Sequence, residues 1–178
     1  MTIHYTSNMT RFTVLPIPSG SLILAASERG LSRVILTRRR GRAALALAKR
    51  ELPEAAHDSK MLPGLQGELR AYFAGRPVTF QTRPDLSGLT SFQQAVLQAC
   101  AKIPYGQTTS YADLARRVGR PGAARAVGAV MARNPVPIII PCHRVITAQG
   151  GLGGYSAEQG ISLKRWLLEM EARGAGRQ

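Results

Sequence analysis

The chain has 178 residues, of which 44% are hydrophobic, so it is long and apolar enough to fold around one core or as two small domains that share an interface. Two cysteines, no signal-peptide pattern and no apolar run long enough to cross a bilayer argue against secretion and membrane insertion, and we expect a cytoplasmic protein. A formal net charge of +14 favours a polyanionic partner such as nucleic acid, although a basic surface that only aids solubility is the alternative.

The first third of the sequence has the pattern of short strands joined by tight turns. Apolar runs lie at residues 12–15, 21–26 and 31–36, and the turn signals PSG and ERG separate them. Apolar runs bounded by turns of this kind are typical of strands that pair with their neighbours in sequence. The sequence therefore predicts an antiparallel meander of three strands.

Two helices are predicted to follow the strands. Residues 41–51 are rich in helix-forming residues, and Pro53 stops that helix. Residues 62–73 form a second amphipathic candidate, which ends at a glycine and a proline. Together these elements predict an N-terminal α/β domain with a small antiparallel sheet over residues 1–87.

The residue pattern changes near residues 85–90, and from there it is typical of helices joined by short loops. Ser91 is predicted to cap a helix that runs to Ala101. The domain boundary is placed at this change, so residues 88–178 are predicted to form a mostly helical C-terminal domain. The predicted fold class is α+β.

A helix-turn-helix is predicted inside the C-terminal domain. Ser110 and Asp113 have the spacing of a capping box, with Asp in place of the preferred Glu, and open a helix over residues 111–118. A glycine-containing turn at residues 119–122 leads to a second helix over residues 123–133. Two short helices across such a turn match the DNA-binding motif.

The second helix of this pair is almost bare of large side chains. Tight packing against a neighbouring helix and close approach to a DNA groove both explain such a helix. Arg125 stands alone among the small residues, either as a surface charge or as a contact to DNA. The small residues are Ala123, Ala124, Ala126, Gly128 and Ala129.

The candidate chemistry lies at Cys142. Three prolines in residues 134–141 fix backbone angles and forbid a regular helix, so the cysteine is held in a stiff frame. His143 follows directly, and an imidazole can take the thiol proton to leave the reactive thiolate. Adjacent residues of an extended segment point in opposite directions, which favours a bridging water over direct contact. Cys100, in a helical run, fits an inert packing residue.

A third group must orient and charge-balance the histidine. The acidic residues downstream of His143 are Glu158, Glu169 and Glu171, and spacing alone does not choose between them. On the Cys–His pair alone, a cysteine hydrolase that acts with many turnovers is an equal reading.

The motifs of the second half resemble a known family. The stretch PCHRV at residues 141–145 is similar to the signature of the O6-alkylguanine-DNA alkyltransferases, also called methylated-DNA–protein-cysteine methyltransferases. The similarity covers about residues 85–173, and the N-terminal region resembles a more divergent partner domain. The further motifs, in chain order, are IPYG at 103–106, SY at 110–111, AARAVG at 123–128, NPVP at 134–137, GY at 154–155 and KRWLL at 164–168.

The resemblance implies a DNA-repair reaction in which Cys142 attacks the alkyl carbon of O6-alkylguanine. His143 would take the thiol proton through a water, and Glu171 would be the third member of the relay. Tyr111 would donate a proton or hydrogen bond to the guanine as it leaves. Asn134 would bond the turn before the cysteine. Cleavage of the resulting thioether is strongly unfavourable, so each chain would act once. No cofactor is expected.

The resemblance also implies how double-stranded DNA is held. Arg125 would fill the gap left by a flipped nucleotide, because O6 inside the base stack cannot reach a buried thiol. The bare helix (Ala123, Ala124, Ala126 and Gly128), with Tyr111, would lie in the minor groove. The pocket for an alkylated guanine, or an O4-alkylthymine, would be lined by Met131, the Val145 backbone, Tyr155 and Ser156. We expect a monomer; cooperative binding along DNA is left open.

This sequence departs from the family pattern in three places. Leu97 stands where many relatives carry tryptophan, and the interval between Tyr155 and Lys164 is longer than in the shorter members, which leaves the range of adducts open. Some relatives bind zinc in the N-terminal domain; here that domain holds only His4 and His57, so no metal site is expected. A non-catalytic lesion-binding protein on the same scaffold is the rival within the family's fold, and the reactive cysteine argues against it.

Overall fold

The computed structural model describes residues 10–158 and 160–176. Its first three strands form the predicted antiparallel meander: β1 (Arg11–Ile17), β2 (Gly20–Ser27) and β3 (Gly30–Thr37). A short strand that the sequence pattern did not predict, β4 (Ala56–His57), pairs in parallel with β1. The sheet order is therefore β3-β2-β1-β4, and the sheet is mixed rather than purely antiparallel. β4 has two exposed residues and no alternation, which is why no pattern revealed it.

The two predicted helices are present, and both contact the sheet. Helix α1 (Gly41–Glu51) buries small and aliphatic side chains against β1 and β2, whereas α2 (Pro63–Phe73) begins with a proline at its first position, where the missing N–H costs nothing. Tyr72 near the end of α2 is fully buried. This burial directs the end of α2 towards the second half of the chain.

The second half is helical apart from one small parallel pair of strands, β5 (Thr109–Ser110) and β6 (Val145–Ile146). The prediction that Ser91 caps the first of these helices is wrong. Thr90 is the N-cap, because its hydroxyl accepts from the Gln93 amide while the Gln93 side chain accepts from the Thr90 amide. The helices are α3 (Ser91–Ala101), α4 (Tyr111–Arg117), α5 (Ala124–Ala132) and α6 (Gly160–Ala175).

Helices α4 and α5 form the predicted helix-turn-helix. The Ser110 hydroxyl accepts from the Asp113 amide at 3.0 Å and caps α4. Gly119, with φ of +70°, ends α4 in the left-handed conformation that glycine adopts most easily. The short connection packs α5 against α4, so that Gly128 lies beside the ring of Tyr111 at the start of α4.

One hydrophobic core joins the two halves of the chain. Its buried side chains come from β1–β3 and α2 on one side and from α3, α4, α5 and α6 on the other. The edge strand β3 also donates its Val34 amide to the Pro135 carbonyl at 2.8 Å. The N-terminal sheet therefore supports the segment that leads to Cys142. Among residues 10–158 and 160–176, no helix is long and apolar enough to span a membrane.

Candidate active site

The segment before Cys142 is a rigid, non-helical connection between α5 and the thiol. Asn134 braces it from inside: its Nδ2 donates to the Ile140 carbonyl at 2.8 Å, and its Oδ1 accepts from the Val136 amide at 3.1 Å. Ile138 lies at φ of +75°, a conformation that costs a β-branched residue about 1–3 kcal/mol. The two Asn134 hydrogen bonds hold the segment in this strained shape.

Cys142 begins a single 3₁₀ turn, Cys142–Arg144, so the chain bends at the cysteine instead of continuing extended. The cysteine is 5% exposed and lines a cavity of about 660 Å³. Burial raises the pKa of its thiol, while a hydrogen bond from Asn134, the charge of Lys164 and backbone amides act in the opposite direction. These groups favour the thiolate once a base removes the proton.

The side chains behind Cys142 converge on Glu171 of α6. Its Oε1 lies 2.8 Å from Nε2 of His143 and accepts from the Tyr72 hydroxyl at 2.6 Å. Arg144 donates to both carboxylate oxygens at 2.9 Å, and the Gly106 amide donates to Oε2 at 3.1 Å. Burial tends to raise the pKa of Glu171, but the hydrogen bonds and charges of His143 and Arg144 outweigh it and lower the pKa to about 2. Glu171 is therefore ionised throughout the physiological range.

The ionised Glu171 fixes the protonation state of His143. A carboxylate only accepts hydrogen bonds, so Nε2 must carry the imidazole proton. Burial lowers the pKa of His143 against the opposing effect of Glu171, which keeps the ring neutral. Its Nδ1 is then unprotonated; it is buried and has no hydrogen-bond partner among the described protein atoms. His143 therefore has an unprotonated ring nitrogen, Nδ1, that can accept a proton.

The cavity in front of Cys142 lies between the helix-turn-helix and the loop that precedes α6. That loop is fastened to the end of β3, because Thr37 donates its hydroxyl to Glu158 at 2.7 Å and the Arg38 amide donates at 3.2 Å. Gly128 on α5 lies against the Tyr111 ring, where a Cβ would stand 3.9 Å away. Burial, followed by the neighbouring cysteines, raises the pKa of Tyr111, so its hydroxyl stays protonated.

The cavity brings together many of the residues that the sequence singled out. Arg125 is exposed at its rim. The residues from the predicted site that line it are Cys142, Tyr111, Ala124, Arg125, Gly128, Met131, Tyr155 and Ser156.

Other predicted residues lie away from the cavity wall. His143 and Glu171 are fully buried and do not line the cavity. Asn134 lines a second groove that reaches Cys142 from the side of β3. Ala123 and Ala126 do not line the cavity, and neither does Val145, whose buried backbone carbonyl accepts from Lys164 at 2.6 Å.

Three residues of the site had no predicted role. Arg144 and Lys164 stand inside the motifs, but a charge in a motif does not reveal that its side chain is buried and paired. Lys164 is fully buried, and its Nζ lies 5.8 Å from the centre of the Tyr111 ring. Tyr72 gave no signal at all, because in the sequence it is one of several apolar positions on an amphipathic helix.

Within the described part of the chain, no three His, Cys, Asp or Glu side chains come together as a metal site. His57 lies on β4 and packs against Phe12, with 5.2 Å between the ring centres. His4 lies outside the described residues.

Two family models match this chain. Residues 10–86 match the ribonuclease-like domain of 6-O-methylguanine DNA methyltransferase, and residues 91–173 match its DNA-binding domain. A methylated-DNA–protein-cysteine methyltransferase of Mycobacterium tuberculosis is 42% identical over 92% of this chain and 93% of its own length. A protein of that name from Methanosarcina acetivorans is 37% identical over 90% of this chain and 97% of its own length.

Solved structures agree with these relatives. The crystal structure of Mycobacterium tuberculosis OGT in complex with DNA has a TM-score of 0.79 and 39% identity, covering 92% of this chain and 94% of that one. The O6-methylguanine-DNA methyltransferase from Pyrococcus kodakaraensis, at 24% identity and a TM-score of 0.66, shares the fold over 92% of this chain and 99% of its own. On this agreement of sequence and fold, the chain belongs to the 6-O-methylguanine-DNA methyltransferase family.

Proposed function

We propose that this protein repairs DNA by moving the alkyl group of O6-alkylguanine onto Cys142. The observation that carries the proposal is the position of the thiol. Cys142 lines a cavity beside the helix-turn-helix and is followed directly by His143, whose ring is paired with Glu171 and buried from solvent. A DNA-binding motif and a thiol next to a neutral histidine at one cavity suit alkyl transfer from DNA.

The proposed step is a displacement at the alkyl carbon. The Cys142 proton passes through a bridging water to Nδ1 of His143, and the imidazolium is stabilised by Glu171 at 2.8 Å. The sulfur then forms a bond to the alkyl carbon while the bond between that carbon and O6 of guanine breaks. Tyr111, protonated and at the cavity wall, donates to the departing guanine and spares it a full negative charge.

A guanine inside the base stack cannot reach this thiol, so the alkylated nucleotide must leave the duplex. We propose that Arg125, exposed at the cavity rim, enters the stack and fills the gap. The small residues from Ala123, the N-cap of α5, to Gly128 would let the helix backbone approach the minor groove. Met131, Tyr155 and Ser156, which line the cavity, would surround the flipped base, and an O4-alkylthymine would enter by the same route.

The product is a thioether, which no group near Cys142 can cleave, so each chain acts once. Because Cys142, Asn134, His143 and Glu171 all come from one chain, we expect a monomer to suffice for repair. Cooperative binding along DNA and a cytoplasmic location stay predictions.

The experiment is intact and peptide mass spectrometry after incubation with a duplex that contains O6-methylguanine. We expect one added methyl per chain, on Cys142, with the duplex restored. Cys142→Ala should bind the duplex without repairing it, whereas Cys100→Ala, at the buried cysteine of α3, should still be methylated. Repaired DNA beside an unmodified Cys142 would contradict the proposal, and repeated turnover of an ester substrate would favour a hydrolase.

A further inference from the structure

Tyr72 reaches the buried relay from the N-terminal half of the chain. It stands near the end of α2, is fully buried, and its hydroxyl lies 2.6 Å from Oε1 of Glu171 and 3.2 Å from Nε2 of His143. Its ring is held by edge or tilted contacts to Phe73, Phe80 and Tyr105, with ring centres 5.2, 5.8 and 6.0 Å away. A phenol fixed this firmly has little freedom to turn its hydroxyl elsewhere.

The direction of the hydrogen bonds in this cluster follows from the charges. Burial, together with the adjacent Glu171, raises the pKa of Tyr72, so the phenol keeps its proton. Two protons, one on Tyr72 and one on Nε2 of His143, therefore face a single carboxylate oxygen. Both donate to Glu171, and the Tyr72 oxygen, 3.2 Å from Nε2, turns its lone pairs towards the imidazole N–H.

We propose that Tyr72 is a positioning residue for alkyl transfer: its hydroxyl holds Oε1 of Glu171 in place so that the carboxylate keeps His143 oriented with Nδ1 unprotonated. The inference rests on the proposed role of Cys142 as the acceptor. It also gives the N-terminal half a part in the chemistry. Among the described residues, Oε1 accepts from His143 and Arg144 of the C-terminal half and from Tyr72 on α2.

The groups that face Tyr72 determine whether its hydroxyl raises or lowers the basicity of His143. Glu171 approaches from α6, His143 and Arg144 from the 3₁₀ turn, Tyr105 from the loop before β5, and Tyr155 adds a weaker interaction from the pocket loop. Without the hydroxyl, Oε1 loses one donor and accepts more strongly from Nε2 of His143. The imidazole then becomes more basic, and Nδ1 stays protonated up to a higher pH.

Tyr72→Phe tests this inference, since phenylalanine keeps the ring and removes only the hydroxyl. Tyr105→Phe is the matched control: that hydroxyl is also buried, its ring touches Tyr72, and it has no hydrogen-bond partner among the described residues. Single-turnover repair of an O6-methylguanine duplex is measured across pH with the full chain. The pH dependence of iodoacetamide alkylation of Cys142 in free protein gives a second readout, because Cys142 lines the cavity whereas Cys100 is fully buried and does not.

We expect Tyr72→Phe to slow repair at neutral pH by about tenfold or more, as loss of a hydrogen bond to a charged group predicts. The acid limb of both pH profiles should move to higher pH, whereas Tyr105→Phe should leave both profiles unchanged. A role in packing alone would lower the melting temperature without moving the limb. An unmoved limb in Tyr72→Phe, whether or not the rate or the melting temperature falls, would overturn the inference.

If Tyr72→Phe does not fold, 3-fluorotyrosine placed at position 72 tests the same inference through the same pH profiles. Its hydroxyl donates more strongly, so the acid limb should move to lower pH, and the same amino acid at position 105 should not move it. An unmoved limb with 3-fluorotyrosine at 72 would also overturn the inference. Failure of the wild-type protein to gain a methyl on Cys142 would instead overturn the proposed function.

Discussion

Gly153 stands directly against the Tyr111 hydroxyl: a Cβ built on Gly153 would lie 2.9 Å from that oxygen. Gly153 is also at φ of +66°, where an L side chain is strained. The glycine thus leaves room for the Tyr111 hydroxyl at the wall of the cavity that contains Cys142. The position of Tyr111 therefore depends on the absence of a side chain at Gly153 as well as on helix α4.

Gly153→Ala should therefore displace the Tyr111 hydroxyl and slow repair of an O6-methylguanine duplex by about tenfold or more. A loss of about 1.4 kcal/mol of transition-state stabilisation changes the rate by that factor. Gly150→Ala is the control. It has a similar φ of +81° but nothing within 4 Å of a Cβ, so it carries the backbone strain of about 1–2 kcal/mol without the clash. Single-turnover rates for both variants decide the matter; equal rates would mean that strain alone is responsible.

Arg125→Ala should weaken repair more than it weakens binding to undamaged DNA. Arg125 is exposed at the rim of the cavity, whereas Arg120 is exposed in the turn before α5 and does not line the cavity. Both substitutions remove one positive charge, so both should lower nonspecific affinity and its salt dependence by a similar amount. The measurement is repair rate against binding to plain duplex over a salt series. An Arg125 variant that repairs as well as the Arg120 variant would show that Arg125 contacts only phosphate.

Glu171→Gln should destabilise the protein by about 3–5 kcal/mol, because it leaves the buried Arg144 guanidinium without a compensating charge. Glu169→Gln, two residues earlier on α6 and exposed, should change stability by no more than about 0.5 kcal/mol. Urea unfolding at neutral pH compares the two variants. Similar midpoints for both would mean that the Glu171 network contributes little to the fold.

The same carboxylate predicts how stability depends on acid. The pKa of Glu171 falls to about 2 in the folded protein from an ordinary value of 4.5. A lowered carboxyl pKa stabilises the fold above the unfolded value and loses this contribution as pH falls through the folded one. Wild-type stability should therefore decline between about pH 4.5 and pH 2, and Glu171→Gln should lack that component. Parallel acid titrations of the two proteins would reveal an identical decline if the prediction is wrong.

Local sequence signals predicted the elements that depend on local physics. The three strands of the meander and helices α1 and α2 were visible because turn glycines, helix formers and Pro53 act on their immediate neighbours. Ser110 is a predictable cap for the same reason. Thr90 and Ser91 both belong to residue types that cap well, and only the reciprocal bond between Thr90 and Gln93 distinguishes them.

The site was predictable in its chemistry but only partly in its geometry. Cys142 and His143 were visible as neighbours, yet the proline-rich frame suggested an extended segment, whereas the chain turns at Cys142. Glu171 lies 28 residues beyond His143 in the sequence, and Tyr72 lies 71 residues before it. Contacts over such separations depend on how α2 and α6 pack, and a single sequence carries no local trace of that packing.

The hydrogen bond from Val34 to Pro135 closes one side of the sheet. Strand β3 is an edge, and its outward groups are taken by the C-terminal segment at Pro135 and by residues 83–85, where Leu31 bonds Arg83 and Asp85. Without the C-terminal half, the meander would keep the bonds to residues 83–85 but would expose the Val34 amide and the apolar side chains of the shared core, and such surfaces recruit other molecules. The first half of this chain, produced by itself, should aggregate, and solubility would return only when the thiol-bearing half is supplied with it.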